Sequence, residues 1–229
     1  MKQRDSLGDR MKGYENNSRF YLTRRVPVIV RLDGRAFHTL TKKAKKPFDS
    51  DVMDSMYKSA LTVMNDMQGC KACYVQSDEA TFLLTDYDTI NTEPWFGYNL
   101  QKMVSISAAT MSESFNNEYP NDIGAVFDSR AFNVPKDDVV NNFLWRAKDW
   151  SRNSLQMYCR SVFSHKQLHG KKSNDMHNML FDKGLNWTTD LSSRERNGRY
   201  IITSEKGWVI NDDVLPNYEA IDSVLNKFL

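Results

Sequence analysis

The sequence predicts an α+β fold: a palm-like antiparallel sheet with helices on one face, extended by a C-terminal helix and a β-hairpin. Three observations predict it. Candidate elements up to residue 135 run strand, helix, strand, strand, helix, strand. Hydrophobic residues make up 40% and aromatics 12% of the chain, enough for a packed core. No internal repeat, low-complexity stretch or Gly/Pro/Ser-rich linker interrupts it. A palm-like core (1–135) and a C-terminal helical and hairpin region (136–229) are therefore expected as one continuous domain.

Each element carries its own signal. Residues 6–20 read as a helix with Leu7, Met11 and Tyr14 near one face. "VPVIVRL" (26–32) is short, apolar and β-branched, hence a strand; "DGR" ends it, Gly34 permitting a tight turn. A polar loop leads to a helix over 50–67, with Val52, Met53, Met56, Ala60, Val63, Met64 and Met67 as its apolar set. Asp49 or Ser50 would cap that helix and Gly69 would close it. "CKACYVQ" and "ATFLLTDY" read as two strands with "SDE" at the turn or strand end between them. A helix over 95–116 and a strand over 125–135 follow. Then comes a long helix over 137–165, whose positive N-terminal end suits Asp137 and Asp138. "GRYIITSEKGWVIND" predicts a hairpin turning near Glu205-Lys206-Gly207, and 217–228 a last helix.

Bulk properties narrow the function classes. A net charge of +2 does not by itself indicate nucleic-acid binding, so any basic surface must come from local segregation. Three cysteines, Cys70, Cys73 and Cys159, argue against a disulfide scaffold and fit a reducing cytosol. The charged N-terminal segment has no apolar leader, and no stretch approaches the roughly 20 apolar residues of a membrane span. The expectation is a soluble cytoplasmic protein with no membrane partner.

The chemistry-bearing residues are carboxylates. Asp33 ends the first strand, and Asp78 and Glu79 sit between the second and third. If those strands are neighbours, Asp33 and Asp78 meet at one sheet edge. Converging carboxylates repel and favour a hard cation such as magnesium, which keeps waters and substrate phosphates as its other ligands. The bland reading is that Asp-Gly and Ser-Asp-Glu are ordinary turn sequences. Lys42, Lys43, Lys45 and Lys46 follow the first turn; they fit either a solvated loop or a phosphate contact, and His38 is equally double-edged.

A second clue is segregation. Residues 150–174 hold Arg152, Arg160, Lys166, Lys171 and Lys172 with no Asp or Glu, either an RNA-facing surface or a solvated helix face. A zinc site from Cys70, Cys73, His165 and His169 is disfavoured: the gap is too long for a finger and the two cysteines have opposite strand parity. No Gly-rich phosphate loop is present.

The ordered set "VIVRLDGRAFHTLT…KPFD", "QSDEATFLL", "QKMVSISA", "FDSRAF" and "WRAKDWSRNSLQM" is similar to the tRNA-His guanylyltransferase superfamily. It most resembles the bacterial and phage-type guanylyltransferase-like members, over about residues 7–208. The resemblance implies a polymerase-palm-like (ferredoxin-like) fold. It implies two Mg2+ ions bound by Asp33, Gly34 and Asp78, with Glu79 as an acidic neighbour needed for activity. Asp33, Gly34, Arg35, Ala36, Phe37, His38, Ser77 and Asp78 would line a nucleoside triphosphate, and Lys46 and Lys102 would reach phosphates. Arg130, Arg146, Asp149 and Asn153 match later motifs that help hold nucleotide and RNA.

The implied activity is template-dependent 3′-to-5′ nucleotide addition to the 5′ end of tRNA, with ATP and GTP or other NTPs as substrates and a homotetramer as the working form. ATP would adenylylate a 5′-monophosphate, and the 3′-hydroxyl of an incoming NTP would displace AMP; a 5′-triphosphate would instead release pyrophosphate. Alternatives are single-G addition to tRNA-His, another palm enzyme such as a nucleotide cyclase, and a non-catalytic RNA-binding module. Two departures bear on the choice. The guanylyltransferases' His-Ile-Asn-Asn-Leu-Tyr-Asn segment is "SRNSLQM" here, with Ser151 for the His and only Asn153 and Leu155 kept; Phe-Asp-Gly-Arg is Phe127-Asp128-Ser129-Arg130. Both leave the metal residues intact and point away from strict tRNA-His recognition toward repair of 5′-truncated tRNA.

Overall fold

The computed structural model describes residues 6–229, so the first five residues of the charged N-terminal segment lie outside the described residues. The helices are α1 (Ser6–Asn16), α2 (Phe37–Leu40), α3 (Ser50–Asp66), α4 (Leu100–Glu118), α5 (Lys136–Val162), α6 (His165–Leu168), α7 (Ser173–Phe181), α8 (Trp187–Asp190), α9 (Ser193–Asn197) and α10 (Tyr218–Leu225). The strands are β1 (Val28–Gly34), β2 (Cys70–Gln76), β3 (Glu79–Leu84), β4 (Phe127–Asn133), β5 (Arg199–Ser204) and β6 (Gly207–Asn211). They form one six-stranded sheet in the order β4-β1-β3-β2-β5-β6, with every pairing antiparallel. The palm-like α+β architecture expected from the sequence is observed, except that the sheet, expected to carry helices on one face, is covered on both, by α3 and α4 on one side and α5 and α10 on the other.

Side-chain alternation decides which helices meet which face. Val28, Val30 and Leu32 of β1 and Phe82 and Leu84 of β3 pack with Met56, Ala60, Val63 and Met64 of α3 and with Met103, Met111 and Phe115 of α4. Ile29, Ala72, Tyr74, Leu83 and Tyr200 project from the opposite face onto Val139, Val140, Phe143 and Ala147 of α5 and Ile221, Val224 and Leu225 of α10. Every residue of β3 is buried, as suits a strand covered on both faces. Each such large apolar side chain contributes about 1.5–3 kcal/mol by leaving water. A third cluster, Leu155, Tyr158, Cys159, Met176, Leu180 and Leu191, fixes the short helices after α5 to its C-terminal half.

The local signals explain most boundaries. Asp49 caps α3, its side chain accepting from the Asp51 and Val52 amides. Gly69 takes φ 81, and a Cβ there would lie 2.5 Å from the Thr85 carbonyl. Three expectations are corrected. The helix expected over 95–116 begins only at Leu100, because Phe96, Gly97 and Tyr98 adopt positive φ of 50, 61 and 59° and break the turn that buries Trp95 and Tyr98. The first helix ends at Asn16, buries none of its side chains, and leaves Leu7, Met11 and Tyr14 exposed. Cys70 and Cys73 were expected on opposite faces. A bulge between Cys70 and Ala72 brings both into the cluster under α3 and α4. His165, the first residue of α6, and His169, just past its end, are both exposed.

No helix among the described residues is long and apolar enough to cross a membrane.

The C-terminal hairpin is tied to the sheet through Tyr74. Its ring lies 4.6 Å from that of Tyr200, and its hydroxyl donates to the Asn197 carbonyl at 2.8 Å. Gly198, at φ 75, passes so close that a Cβ would lie 2.7 Å from the phenol. Tyr74→Phe leaves that carbonyl buried and unpaired, which predicts a loss of about 1–3 kcal/mol in urea unfolding at constant fold; an unchanged midpoint would rule the bond out as an anchor.

Candidate functional site

Three strand ends converge at one edge. In the sheet register Asp33 of β1 stands opposite Glu79 of β3 on one side and Asp128 of β4 on the other. Directly opposed residues share a face, so all three carboxylates rise from the face that carries α5. Asp78 arrives from the turn. Gln76 pairs with Glu79, leaving Ser77 and Asp78 as a two-residue connection, with Ser77 at φ 47. The Ser77 hydroxyl donates to Asp78 Oδ1 at 2.8 Å, and the Gly34 amide donates to the Asp78 carbonyl at 2.9 Å. The two metal-type aspartates thus sit on adjacent, hydrogen-bonded turns.

Gly34 has a packing reason to be glycine: a Cβ would lie 2.3 Å from the Phe37 ring and 2.9 Å from Asp78 Cβ. Phe37 is buried edge-on against Phe115 and Phe127 at 5.2 and 5.1 Å. It anchors a turn whose other residues, Arg35, Ala36 and His38, face solvent, with Ala36 left-handed at φ 53.

Glu79 is the carboxylate with a buried cationic partner. Both its oxygens accept from Arg146 of α5, from Nε and Nη2, each at 2.6 Å. The arginine then donates to Asp149 at 3.3 Å, and Asp149 also receives Arg152 and, at 3.4 Å, Asn153. Burial alone would lower the Arg146 pKa; the Glu79 hydrogen bonds and charge outweigh it and raise it. Among the described residues Asp78 has no such partner. Burial pushes its carboxyl above the usual carboxylate range, against the Ser77 hydrogen bond and with the charges of Asp33 and Glu79 adding to the rise.

Two cavities flank Asp78. One of about 610 Å³ is lined by Gly34, Ala36, Phe37, His38, Lys45, Lys46, Phe48, Val52, Met53, Ser77, Asp78, Trp150, Met157 and Arg160, among others. The other, about 300 Å³, is lined by Asp33, Ser77, Asp78, Glu79, Arg146, Asp149, Trp150, Asn153, Met157 and Arg160, among others. They share the Ser77-Asp78 turn and a stripe of α5.

The structure therefore brings together most of the sequence-expected site, but not all. Lys46 lines the larger cavity with its ammonium on the Thr41 carbonyl at 3.2 Å. Lys102 lines neither; it is exposed on α4, 5.8 Å from the Phe96 ring. Arg130 lines neither and pairs with Asp128 at 3.4 Å. Arg146, expected to help hold nucleotide and RNA, is buried on Glu79, where it orders the site from below. Arg152 is exposed on α5, and Lys166, Lys171 and Lys172 are exposed along α6 and the segment before α7.

Sequence reasoning missed Trp150. It is 2% exposed, borders both cavities, packs edge-on against Phe48 at 5.9 Å, and its buried indole N–H has no partner among the described residues. The signal was present: Arg146, Asp149, Trp150, Asn153, Met157 and Arg160 fall at i, i+3, i+4, i+7, i+11 and i+14 on one helical stripe.

The donors suit a hard cation. Among the described residues no group of three or more His, Cys, Asp or Glu side chains could hold a metal. A metal here would rest on the oxygens of Asp33 and Asp78 and the adjacent Gly34 backbone, completed by water or phosphate. Burial raises the Asp78 carboxyl, a direction that a cation beside it would oppose.

Comparison with known proteins agrees with this geometry. Residues 8–135 match the family model described as tRNA-His guanylyltransferase (Thg1). The structure of a bacterial tRNA-His guanylyltransferase (Thg1)-like protein in complex with ATP superposes with a TM-score of 0.92 at 40% identity, covering 97% of this chain and 99% of that one. A bacterial Thg1-like protein in complex with GTP gives 0.80 at 36% identity, covering 98% and 99%. The probable tRNA-His guanylyltransferase of Homo sapiens is 28% identical over 185 residues, 72% of this chain and 60% of that protein, so this chain spans less than two thirds of the human protein's length.

Removing Arg146 should be worse than removing an exposed charge. Arg146→Ala leaves Glu79 buried without its cation, and a broken buried pair costs about 3–5 kcal/mol. Denaturant unfolding should show most of that loss in Arg146→Ala and a smaller one in Arg146→Lys, whose single ammonium cannot make both bonds; equal stability of wild type and Arg146→Ala would refute the anchoring role.

Proposed function

The chain belongs to the tRNA-His guanylyltransferase family, and from that premise we propose that it is a template-dependent 3′-to-5′ nucleotidyltransferase that extends the 5′ end of truncated tRNA. The observation that carries the reading is the shared wall: a nucleotide-sized cavity and a carboxylate-lined one meet at Ser77 and Asp78. The larger cavity combines apolar lining, Phe48, Val52, Met53, Trp150 and Met157, with basic lining, His38, Lys45, Lys46 and Arg160. A nucleoside triphosphate presents that pair of chemistries, and the ATP and GTP complexes of the bacterial relatives support ATP and GTP or other NTPs as substrates.

In this reading Asp33, Asp78 and the Gly34 backbone hold two Mg2+ ions. Bound there, the ions supply a lower pKa for an attacking hydroxyl and charge neutralisation for a leaving phosphate. The turn from Arg35 to His38, with Ser77, Lys46 and the unpartnered Trp150 N–H, binds and orients the triphosphate. Glu79, held by Arg146, keeps the hairpin tip in place. Arg160 borders both cavities and links triphosphate to RNA end. A 5′-monophosphate oxygen attacks the α-phosphorus of ATP and releases pyrophosphate. The 3′-hydroxyl of the incoming NTP then attacks the activated 5′ phosphorus and releases AMP. Repair is preferred to single-G addition because Ser151 stands where the tRNA-His enzymes carry His. Assembly as a homotetramer, with basic residues after Trp150 meeting tRNA, belongs to the same proposal.

The test supplies a tRNA lacking its first nucleotide, with magnesium, ATP and NTPs, and sequences the products. Templated extension of non-His tRNA is expected; addition confined to tRNA-His would decide for the single-G enzyme, and RNA binding with no addition for a binding module.

Asp78→Asn should abolish extension yet stabilise the magnesium-free protein at neutral pH. The sign follows from the raised folded-state pKa of Asp78. Its stabilising contribution is complete below the unfolded value of about 3.9 and is lost as pH rises through the higher folded value. A shift of roughly 2–4 °C in Tm per kcal/mol is the scale expected. Magnesium should raise the Tm of wild type and not of Asp78→Asn; a metal response retained in the variant would remove Asp78 from the site.

A further inference from the structure

We propose that Trp145, with Arg31 and Arg130, forms a shelf beside the carboxylate edge on which one unpaired nucleotide of the RNA stacks, its phosphate taken by the two guanidinium groups; this rests on the proposed action on RNA. Trp145 is 55% exposed on α5, next in sequence to the inward-turned Arg146. Large aromatics stay in water at a cost, and this one is not isolated: the Arg31 guanidinium lies 5.6 Å from its ring centroid and that of Arg146 lies 4.6 Å away.

Arg31 gives the shelf its ligand demand. It stands two residues before Asp33 on β1, on the same face, and directly opposite Arg130 of β4. Like charges in directly opposed positions destabilise a sheet. Arg130 has Asp128 at 3.4 Å, but among the described residues Arg31 has no ion-pair partner, and its buried Nε has no hydrogen-bond acceptor. Two adjacent guanidiniums, one carrying an orphaned buried donor, suit an anion with several acceptor oxygens. Asp33 and Asp128 face the same side two positions along the register, so the anion site is bounded by the carboxylate edge.

The flanking helix surface has the same character. Asn141, Trp145, Lys148 and Arg152 follow one another at i, i+4, i+7 and i+11, an exposed polar and basic stripe interrupted only by the indole. An aromatic face set among cations is the arrangement that holds single-stranded nucleic acid without reading its sequence. A repair enzyme that must accept ends of different sequence needs that tolerance.

The experiment measures fluorescence anisotropy of a labelled tRNA transcript shortened by one nucleotide and bearing a 5′-monophosphate, with ATP binding measured in parallel. Trp145→Ala should weaken tRNA binding about tenfold and leave ATP binding unchanged, while Trp145→Phe keeps most of the affinity. Arg31→Gln should reduce the slope of log affinity against log salt by about one. Trp145→Ala binding tRNA within twofold of wild type overturns the shelf, as does loss of ATP binding to the same degree. A changed oligomeric state by light scattering with tRNA affinity intact also overturns it, in favour of a second copy of this chain on Trp145. Failure of the wild type to extend this RNA would instead refute the proposed function, and a Trp145-dependent affinity would still uphold the shelf.

Discussion

The buried Glu79–Arg146 pair is the constraint on which the site depends. It joins the first residue of β3 to the middle of α5 through two 2.6 Å hydrogen bonds, across 67 positions of sequence. Desolvating two charges is costly, and their attraction repays it only with good geometry and further hydrogen bonds. Here the fork-to-fork contact supplies the geometry, and Asp149 accepts a further bond from Arg146 Nη2. The consequence is positional: the Ser77-Asp78 turn is rigid at its exit and docked against a helix. The cavities on either side of Asp78 inherit that fixed wall.

The same pair sets the electrostatics of the edge. Glu79, Asp33 and Asp128 rise from one face at successive strands, with Asp78 beside them. Arg146 compensates Glu79, and Arg130 approaches Asp128. No ion pair among the described residues compensates Asp33 or Asp78, whose turns are joined by the Gly34–Asp78 hydrogen bond. The fold thus neutralises the carboxylates it uses for support and leaves the remainder short of positive charge, where a hard cation and a polyphosphate would be drawn together.

The fold was legible because its signals are local. Short β-branched runs, the Asp49 cap, the Gly69 stop and the hairpin turns act within a few residues. The misread segments are those where tertiary packing overrode a local pattern: Trp95 and Tyr98 are buried by a kinked turn that hydrophobic spacing reads as helix, and one bulge undid the parity argument for Cys70 and Cys73. For the candidate site, the meeting of Asp33, Gly34 and Asp78 was readable from strand ends. Arg146 and Trp150 were not placed correctly, because whether a helical arginine or tryptophan points to solvent, sheet or cavity depends on which helix face docks. Only the partner's position decides that.

Helix α5 shows why one element carries so much. Its 27 residues present three adjacent stripes along roughly 40 Å. Val140, Phe143 and Ala147 bury against the sheet. Arg146, Asp149, Trp150, Asn153 and Arg160 line the cavities beside Asp78. Asn141, Trp145, Lys148 and Arg152 turn outward. A rigid helix fixes the angle between such stripes at about 100° per residue, so the cavity-lining stripe and the outward basic stripe cannot drift relative to each other. In an enzyme of the proposed kind, which must bring a free nucleotide and the end of a polymer to the same phosphate, that fixed angle is a physical means of keeping the two substrates in register.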